Sequence, residues 1–133
     1  QPRMPDFVNF KLTLQASTVK DGLKAIERAR AGIQRMLHKT LWMNQEEILN
    51  RARDLAALSL QFSGNIFSAC QRSEGPAEDL HVAARCLEIS DSILWGMKGF
   101  AREEHHEIRA FQSFLHPLVL CCLGQPGPAA SLL

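Results

Sequence analysis

The apolar residues of this chain recur every three or four positions in four successive stretches between Thr18 and Cys122, with short polar or glycine-containing turns between them. This spacing matches the turn of an α-helix. Short connections place neighbouring helices antiparallel. We therefore predict an all-α fold, namely an antiparallel, up-and-down four-helix bundle with an N-terminal arm or short extra helix.

The chain divides into three predicted segments. These are an N-terminal arm or helical extension over residues 1–17, the helical bundle over 18–123, and a flexible tail over 124–133 that is rich in Gly and Pro. Apolar and polar residues alternate from Val8 to Gln15, as in a strand, but no partner strand is evident. Because Phe7, Phe10 and Leu14 also fit one helix face, residues 6–16 could form an arm, a strand or a helix.

The predicted helices run from Thr18 to about Trp42, from Asn44 to near Arg72, and from Pro76 through Met97, with Gly96 and Gly99 loosening the chain before a last helix that begins near Phe100 or Ala101. Ser17 or Thr18 and Asn44 are suitable N-caps, and Pro76 suits a first helical position. In the fourth helix, Pro117 should kink the helix or end its regular hydrogen bonding. The predicted core stripe of that helix is Ile108, Phe111, Leu115, Leu118 and Cys122.

The third helix has two apolar stripes. One contains Leu80, Ala84, Leu87 and Leu94, and the other, roughly 180° around the helix, contains Val82, Cys86, Ile89, Ile93 and Met97. A helix at the corner of a bundle needs only one such stripe. Two stripes indicate a central position, a covering second layer or a partner surface. Trp95 lies between the stripes and suits either core-edge packing or a binding hot spot, since Trp is enriched at such sites.

Charge is distributed unevenly along the chain. Up to Trp42 there are eight Lys and Arg against three Asp and Glu, whereas beyond it there are seven against eleven. The opposite charges could pair neighbouring helices, or they could leave a basic surface for an acidic partner. The first helix carries cations opposite its apolar face, at Lys20, Lys24, Arg28, Arg35 and Lys39. The whole-chain pI of about 7.9 is lower than is usual for nucleic-acid-binding domains.

The four cysteines, Cys70, Cys86, Cys121 and Cys122, include no CxxC pair, and no Asn-x-Ser/Thr sequon occurs. We interpret the cysteines as reduced thiols, and we predict an intracellular location, cytoplasmic or nuclear. No apolar run has the roughly 20 residues needed to span a bilayer. The alternative is a secreted helical-bundle ligand of the cytokine type with some cysteines in disulfides.

Two Glu-x-x-His motifs, Glu78–His81 and Glu103–His106, resemble those of di-iron bundles in spacing. In an antiparallel hairpin, however, their heights differ by roughly 24 Å, too far to share an ion. We therefore predict no metal and no cofactor. No His lies at helical spacing that would activate Cys70 or Cys86, and Pro117 separates His116 from the last two cysteines. No phosphate-binding glycine loop follows a strand, so we predict that the chain is not an enzyme.

No family resemblance is apparent in these motifs. The favoured hypothesis is an adaptor, docking or oligomerisation module of a larger protein, binding the helix or strand of another protein, or a second copy of itself, through an apolar helix face. The predicted partner-binding residues are Val82, Ile89, Ile93, Trp95 and Met97, with Lys20, Lys24, Arg28 and Arg35 as a secondary contact. A less favoured hypothesis is a membrane-surface or nucleic-acid binder that uses the basic first helix.

Overall fold

The computed structural model describes residues 18–39, 45–96 and 103–124. Four helices occupy these ranges: α1 (Val19–Lys39), α2 (Gln45–Gln71), α3 (Asp79–Gly96) and α4 (Glu103–Cys122). None of the described residues lies in a strand. The predicted all-α class and helical bundle are thereby confirmed. The predicted arm, most of the tail, Asn44, Met97, and the start predicted for the fourth helix at Phe100 or Ala101 lie outside the described residues.

The ends of the helices follow from local side-chain and backbone chemistry. Thr18 caps α1, because its Oγ1 accepts a hydrogen bond from the backbone N–H of Asp21 at 3.1 Å. At the end of α2, Ser73 adopts a left-handed conformation with φ of 57°, and the N–H of Glu74 donates to the carbonyl of Ala69 at 2.8 Å. This pattern is a Schellman motif, which satisfies carbonyls that the helix leaves unpaired. The chain can therefore turn sharply from α2 towards α3.

Hydrogen bonds between helices fix the direction of three of them. Ser63 Oγ donates to the carbonyl of Ala83, whereas Ser90 Oγ donates to that of Ala56. As the residue number rises along α3, the residue number of its bonding partner on α2 falls. The two helices are therefore antiparallel. The same reversal relates α3 to α4, because the side chain of Gln112 donates to the carbonyl of Leu87 and that of Arg109 to the carbonyl of Leu94. Helices α2 and α4 consequently run parallel to each other.

The packing arrangement makes α2 and α3 the central pair of the bundle. Each of them contacts the other and also contacts both α1 and α4, while the described parts of α1 and α4 do not pack against each other. The cross-section is thus a rhombus with α1 and α4 at its far corners. This arrangement explains the two apolar stripes of α3, because a central helix must pack on both sides.

The core lies between this central pair and its two flanking helices. The large side chains that are almost completely buried include Ile26 from α1, Leu55 and Leu60 from α2, Leu87, Ile89 and Leu94 from α3, and Ile108, Leu115 and Val119 from α4. Gly22 lets α1 approach α2 closely, because a Cβ at this position would overlap the ring of Phe62. The glycine therefore has a packing role that offsets its low helix propensity.

The core stripe predicted for the fourth helix is rotated from the observed one. Ile108 and Leu115 are buried as predicted, but Leu118 and Cys122 are exposed, and His105, Gln112 and Val119 are buried in their place. The physical reason is that Gln112 satisfies its amide by bonding to a carbonyl of α3, so a polar residue can occupy the core face. In addition, α4 continues through Pro117 to Cys122, so Pro117 does not end the helix.

Candidate interaction surfaces

The predicted partner-binding stripe on α3 is mostly inside the bundle. Val82 and Ile89 are 9% and 0% exposed, and Ile93 is half-buried and packs against the core. These three side chains contact other helices of the same chain, so they do not form an open surface in this fold. The expectation that they face a partner needs correction: the stripe is the second packing side of a central helix. Met97 lies outside the described residues.

Trp95 differs from Val82, Ile89 and Ile93 because it is 54% exposed. The guanidinium carbon of Arg109, on α4, lies 5.6 Å from the centre of the Trp95 ring. Such a cation–π contact contributes about 0.5–1 kcal/mol at an exposed site. The side chain of Arg109 also donates to the carbonyl of Leu94. Trp95 therefore remains accessible while its neighbour holds the end of α3 against α4.

The four predicted cations of α1, Lys20, Lys24, Arg28 and Arg35, are all exposed. None of them takes part in the ion pairs found among the described residues. The ion pair that joins α1 to another helix has the opposite polarity, because Glu27 on α1 accepts from Arg85 on α3 at 3.5 Å. Within the described part of the chain, these four cations therefore do not hold the first helix to its neighbours. These residues form a basic stripe directed away from the core.

An apolar surface that the sequence analysis missed lies on the outer side of α4. Leu118 is 38% exposed, and Phe111 and Phe114 are half-buried, with ring centres 6.3 Å apart and planes at 58°. We call these three residues the α4 ridge. They occupy positions i, i+3 and i+7, so they align along one face of the helix. The signal was present in the sequence, because α4 has more apolar positions than a single packing face needs.

The α4 ridge borders the line of contact between α2 and α4. Close to it, the side-chain amide of Gln71 on α2 lies 3.9 Å from the Sγ atom of Cys122 on α4. Counting about 100° per residue, Arg109 projects from roughly the opposite side of α4. The α4 ridge and the Trp95–Arg109 pair are consequently separate surfaces. The basic stripe on α1 lies at the far corner of the bundle.

A small polar pocket between α3 and α4 is lined by Asp91, Gln112, Ser113, His116 and Pro117, with a volume of about 60 Å³. Burial lowers the pKa of His116, and the carboxylates of Glu88 and Asp91 oppose that shift. Among these described residues, no hydrogen bond links Ser113 to His116 or His116 to Asp91. Ser113, His116 and Asp91 are therefore not connected as a hydrogen-bonded triad. The volume suits a few water molecules and is below that of typical ligand sites.

The remaining side chains that could bind a metal ion or act as nucleophiles are the cysteine thiols and the histidine imidazoles. In the described part of the chain, no group of three or more His, Cys, Asp or Glu side chains is arranged to hold a metal ion. Cys86 is completely buried, and burial, reinforced by Glu27, raises its pKa to about 12. Cys70 is half-buried, whereas Cys121 and Cys122 are exposed, and all four are free thiols. The location of the protein and the secreted alternative stay predictions.

Comparison with known proteins adds no relative. No family model matches the chain, and searches of curated proteins and of solved structures find no match. In the described residues, no helix is both long and apolar enough to cross a lipid bilayer. The surfaces of the bundle itself are therefore the basis on which a function can be inferred.

Proposed function

We propose that this chain is a non-catalytic protein–protein interaction module that binds a partner helix along the α4 ridge. The observation that carries the proposal is the alignment of Phe111, Phe114 and Leu118 on an accessible helix face. Apolar anchors at i, i+3 and i+7 are typical of helices that pack against an amphipathic partner helix. Binding through an apolar helix face is the mode predicted from the sequence, but the face proposed here belongs to α4 and not to α3.

The shape of the bundle favours a helical partner over a strand. A strand docks by adding to the edge of a sheet, and the described residues contain no sheet. A helix instead needs a shallow apolar groove, and Cys122, one turn beyond Leu118 on the same face of α4, lies against Gln71 of α2. Phe67 on α2 is also half-buried and packs at the margin of the core. The partner should therefore present an apolar helix face.

The other two surfaces have subordinate roles in this proposal. The basic stripe on α1 and the α4 ridge lie at opposite corners of the rhombus, so one short partner helix cannot contact both. We assign the stripe to a separate, weaker contact with an acidic segment, because isolated exposed charges contribute little affinity. The exposed Trp95 ring and Arg109 beside it would extend the contact surface at the carboxyl-terminal end of α3. Membership of a larger intracellular protein remains part of the proposal.

A site-specific crosslinking experiment tests the proposal. A photoreactive amino acid replaces Leu118 in one version of the full chain and Gln61, an exposed residue on the outer face of α2, in a control version. We expect a discrete crosslinked product from position 118 in cells that express the chain, with no such product from position 61. Peptide mapping should place the link on an amphipathic helix of another protein or of a second copy.

Affinity measurements with that mapped helix complete the test. Leu118→Asp should weaken its binding at least about tenfold, since a charge replaces an apolar anchor, whereas Gln61→Asp adds the same charge elsewhere and should leave affinity unchanged. Both variants should retain the far-UV circular dichroism of the parent chain. Equal crosslinking from both positions, or equal loss of affinity in both variants, would show that the α4 ridge is not the binding site.

A further inference from the structure

The carboxyl-terminal ends of α2 and α4 bring two cysteines together at one end of the bundle. Because both helices run antiparallel to α3, their last turns lie at the same end. Cys70 belongs to the last turn of α2 and Cys122 is the last residue of α4. The side chain of Gln71, the residue after Cys70, reaches Cys122 with Nε2 3.9 Å from its sulfur. The two thiols thus belong to neighbouring helix ends.

The electrostatics of Cys70 agree with this placement. The pKa of Cys70 is raised chiefly by burial and then by the negative charges of Asp79 and Cys122. A thiolate at Cys122 therefore lies near enough to disfavour a second thiolate at Cys70. The Cys70 thiol also donates a weak hydrogen bond to the carbonyl of Pro76 at 3.5 Å, which places it at the surface turn after α2. No similar coupling joins Cys70 to Cys121.

We propose that Cys70 and Cys122 form a reversible disulfide site that reacts with small disulfides such as oxidised glutathione. This inference is independent of the proposed partner-binding function. It assigns the two thiols different roles, since Cys122 is exposed and Cys70 is half-buried. Exposed thiols react first, and a neighbouring thiol then resolves the mixed disulfide.

The exchange balances in two steps. The Cys122 thiolate attacks one sulfur of oxidised glutathione, which forms a protein–glutathione disulfide and releases one glutathione thiolate. The Cys70 thiolate then attacks the Cys122 sulfur, which forms the Cys70–Cys122 bond and releases the second glutathione thiolate. The two protons lost by the cysteines end on the two glutathione molecules. Both protein thiols are oxidised by two electrons in total, and one glutathione disulfide is reduced to two thiols.

The bond would tie α2 to α4 and close a loop that contains all of α3 and α4. Cross-linking a long loop restricts the unfolded chain, which raises thermal stability. For a domain of this size we expect an increase in Tm of roughly 10 °C. The raised pKa of Cys70 keeps it protonated at neutral pH, so the second step should accelerate as the pH rises.

The test uses the whole reduced chain incubated with oxidised glutathione. We expect a non-reducing peptide map that joins the Cys70 and Cys122 peptides, and a mass lower by two hydrogen atoms in molecules whose exposed Cys121 carries no glutathione. The Cys121→Ser variant is the matched control and should form the same bond. Cys70→Ser should stop at a glutathione adduct on Cys122, because its resolving thiol is absent. Adding dithiothreitol should restore the original mass and Tm.

Three results would overturn the inference. The first is a stable glutathione adduct on Cys122 of the parent chain, with the Cys70 thiol still free. The second is a bond within the Cys121–Cys122 pair, and the third is a disulfide between two chains in place of the intramolecular one. Leu118→Asp should bridge as the parent does, so failure of the disulfide and failure of the partner-binding proposal can be told apart.

Discussion

Helices α3 and α4 both carry more apolar side chains than a single packing face needs, and the bundle uses the surplus differently. The second stripe of α3, with Val82 and Ile89, lies against the core because α3 contacts all three other helices. The surplus of α4 stays at the surface as the α4 ridge, because α4 sits at a corner and, of the other three described helices, packs on α2 and α3 alone. A surplus apolar stripe therefore stays accessible at the surface only when the helix is peripheral.

Placing the same negative charge on α3 and on α4 should have very different effects on stability. Ile89→Asp should cost about 4 kcal/mol or more, because it leaves an unpaired carboxylate in the core and removes a fully buried side chain. Leu118→Asp should cost about 1 kcal/mol, since the site is partly exposed and the penalty comes mainly from the helix dipole and lost contacts. Urea unfolding followed by circular dichroism measures both free energies. Similar losses would mean that α4 is as deeply packed as α3.

A second, smaller effect concerns the thiol buried on the inward side of α3. Burial raises the pKa of Cys86 from 9.0 to about 12, so the folded state holds this proton more tightly than the unfolded state does. The contribution of the Cys86 thiol to the free energy of unfolding is therefore fully present below about pH 9. It is lost as the pH rises towards 12. By about pH 10 the free energy of unfolding should have fallen by about 1.4 kcal/mol.

The matched comparison for this pH effect is Cys86→Ala against Cys121→Ala, since the second thiol is exposed. Unfolding free energies measured between neutral and alkaline pH should fall less steeply in Cys86→Ala than in the parent chain. Cys121→Ala should follow the parent. If the alkaline loss is unchanged in Cys86→Ala, the stripe that contains Cys86 is more accessible to water than the structure shows.

The sequence identifies the helices well because their signals are local. The predicted bounds of the first three helices lie within a few residues of those observed, and the cap at Thr18 is confirmed. Which side of a helix faces which neighbour is a tertiary property, so the two stripes of α3 could not be assigned from their spacing. The register of α4 was misjudged because the buried amide of Gln112 bonds to Leu87, a contact that no hydrophobic pattern reveals.

Helix α1 also has one face that packs on the bundle and one face that is open, and the expected effects of substitutions there are the smallest. Gly22 lies against Phe62, so Gly22→Ala forces the ring to move and should cost about 1 kcal/mol despite the better helix propensity of Ala. At Gly32 an added Cβ would meet only the Arg35 side chain, at 3.9 Å. Gly32→Ala should therefore stabilise the chain by about 0.5–1 kcal/mol. Thermal and urea unfolding of the two variants measure this contrast. The two substitutions are chemically identical and lie on one helix. Changes of opposite sign in the free energy of unfolding can therefore arise only from what each face contacts. A gain in stability at both positions would show that α1 does not pack closely on α2.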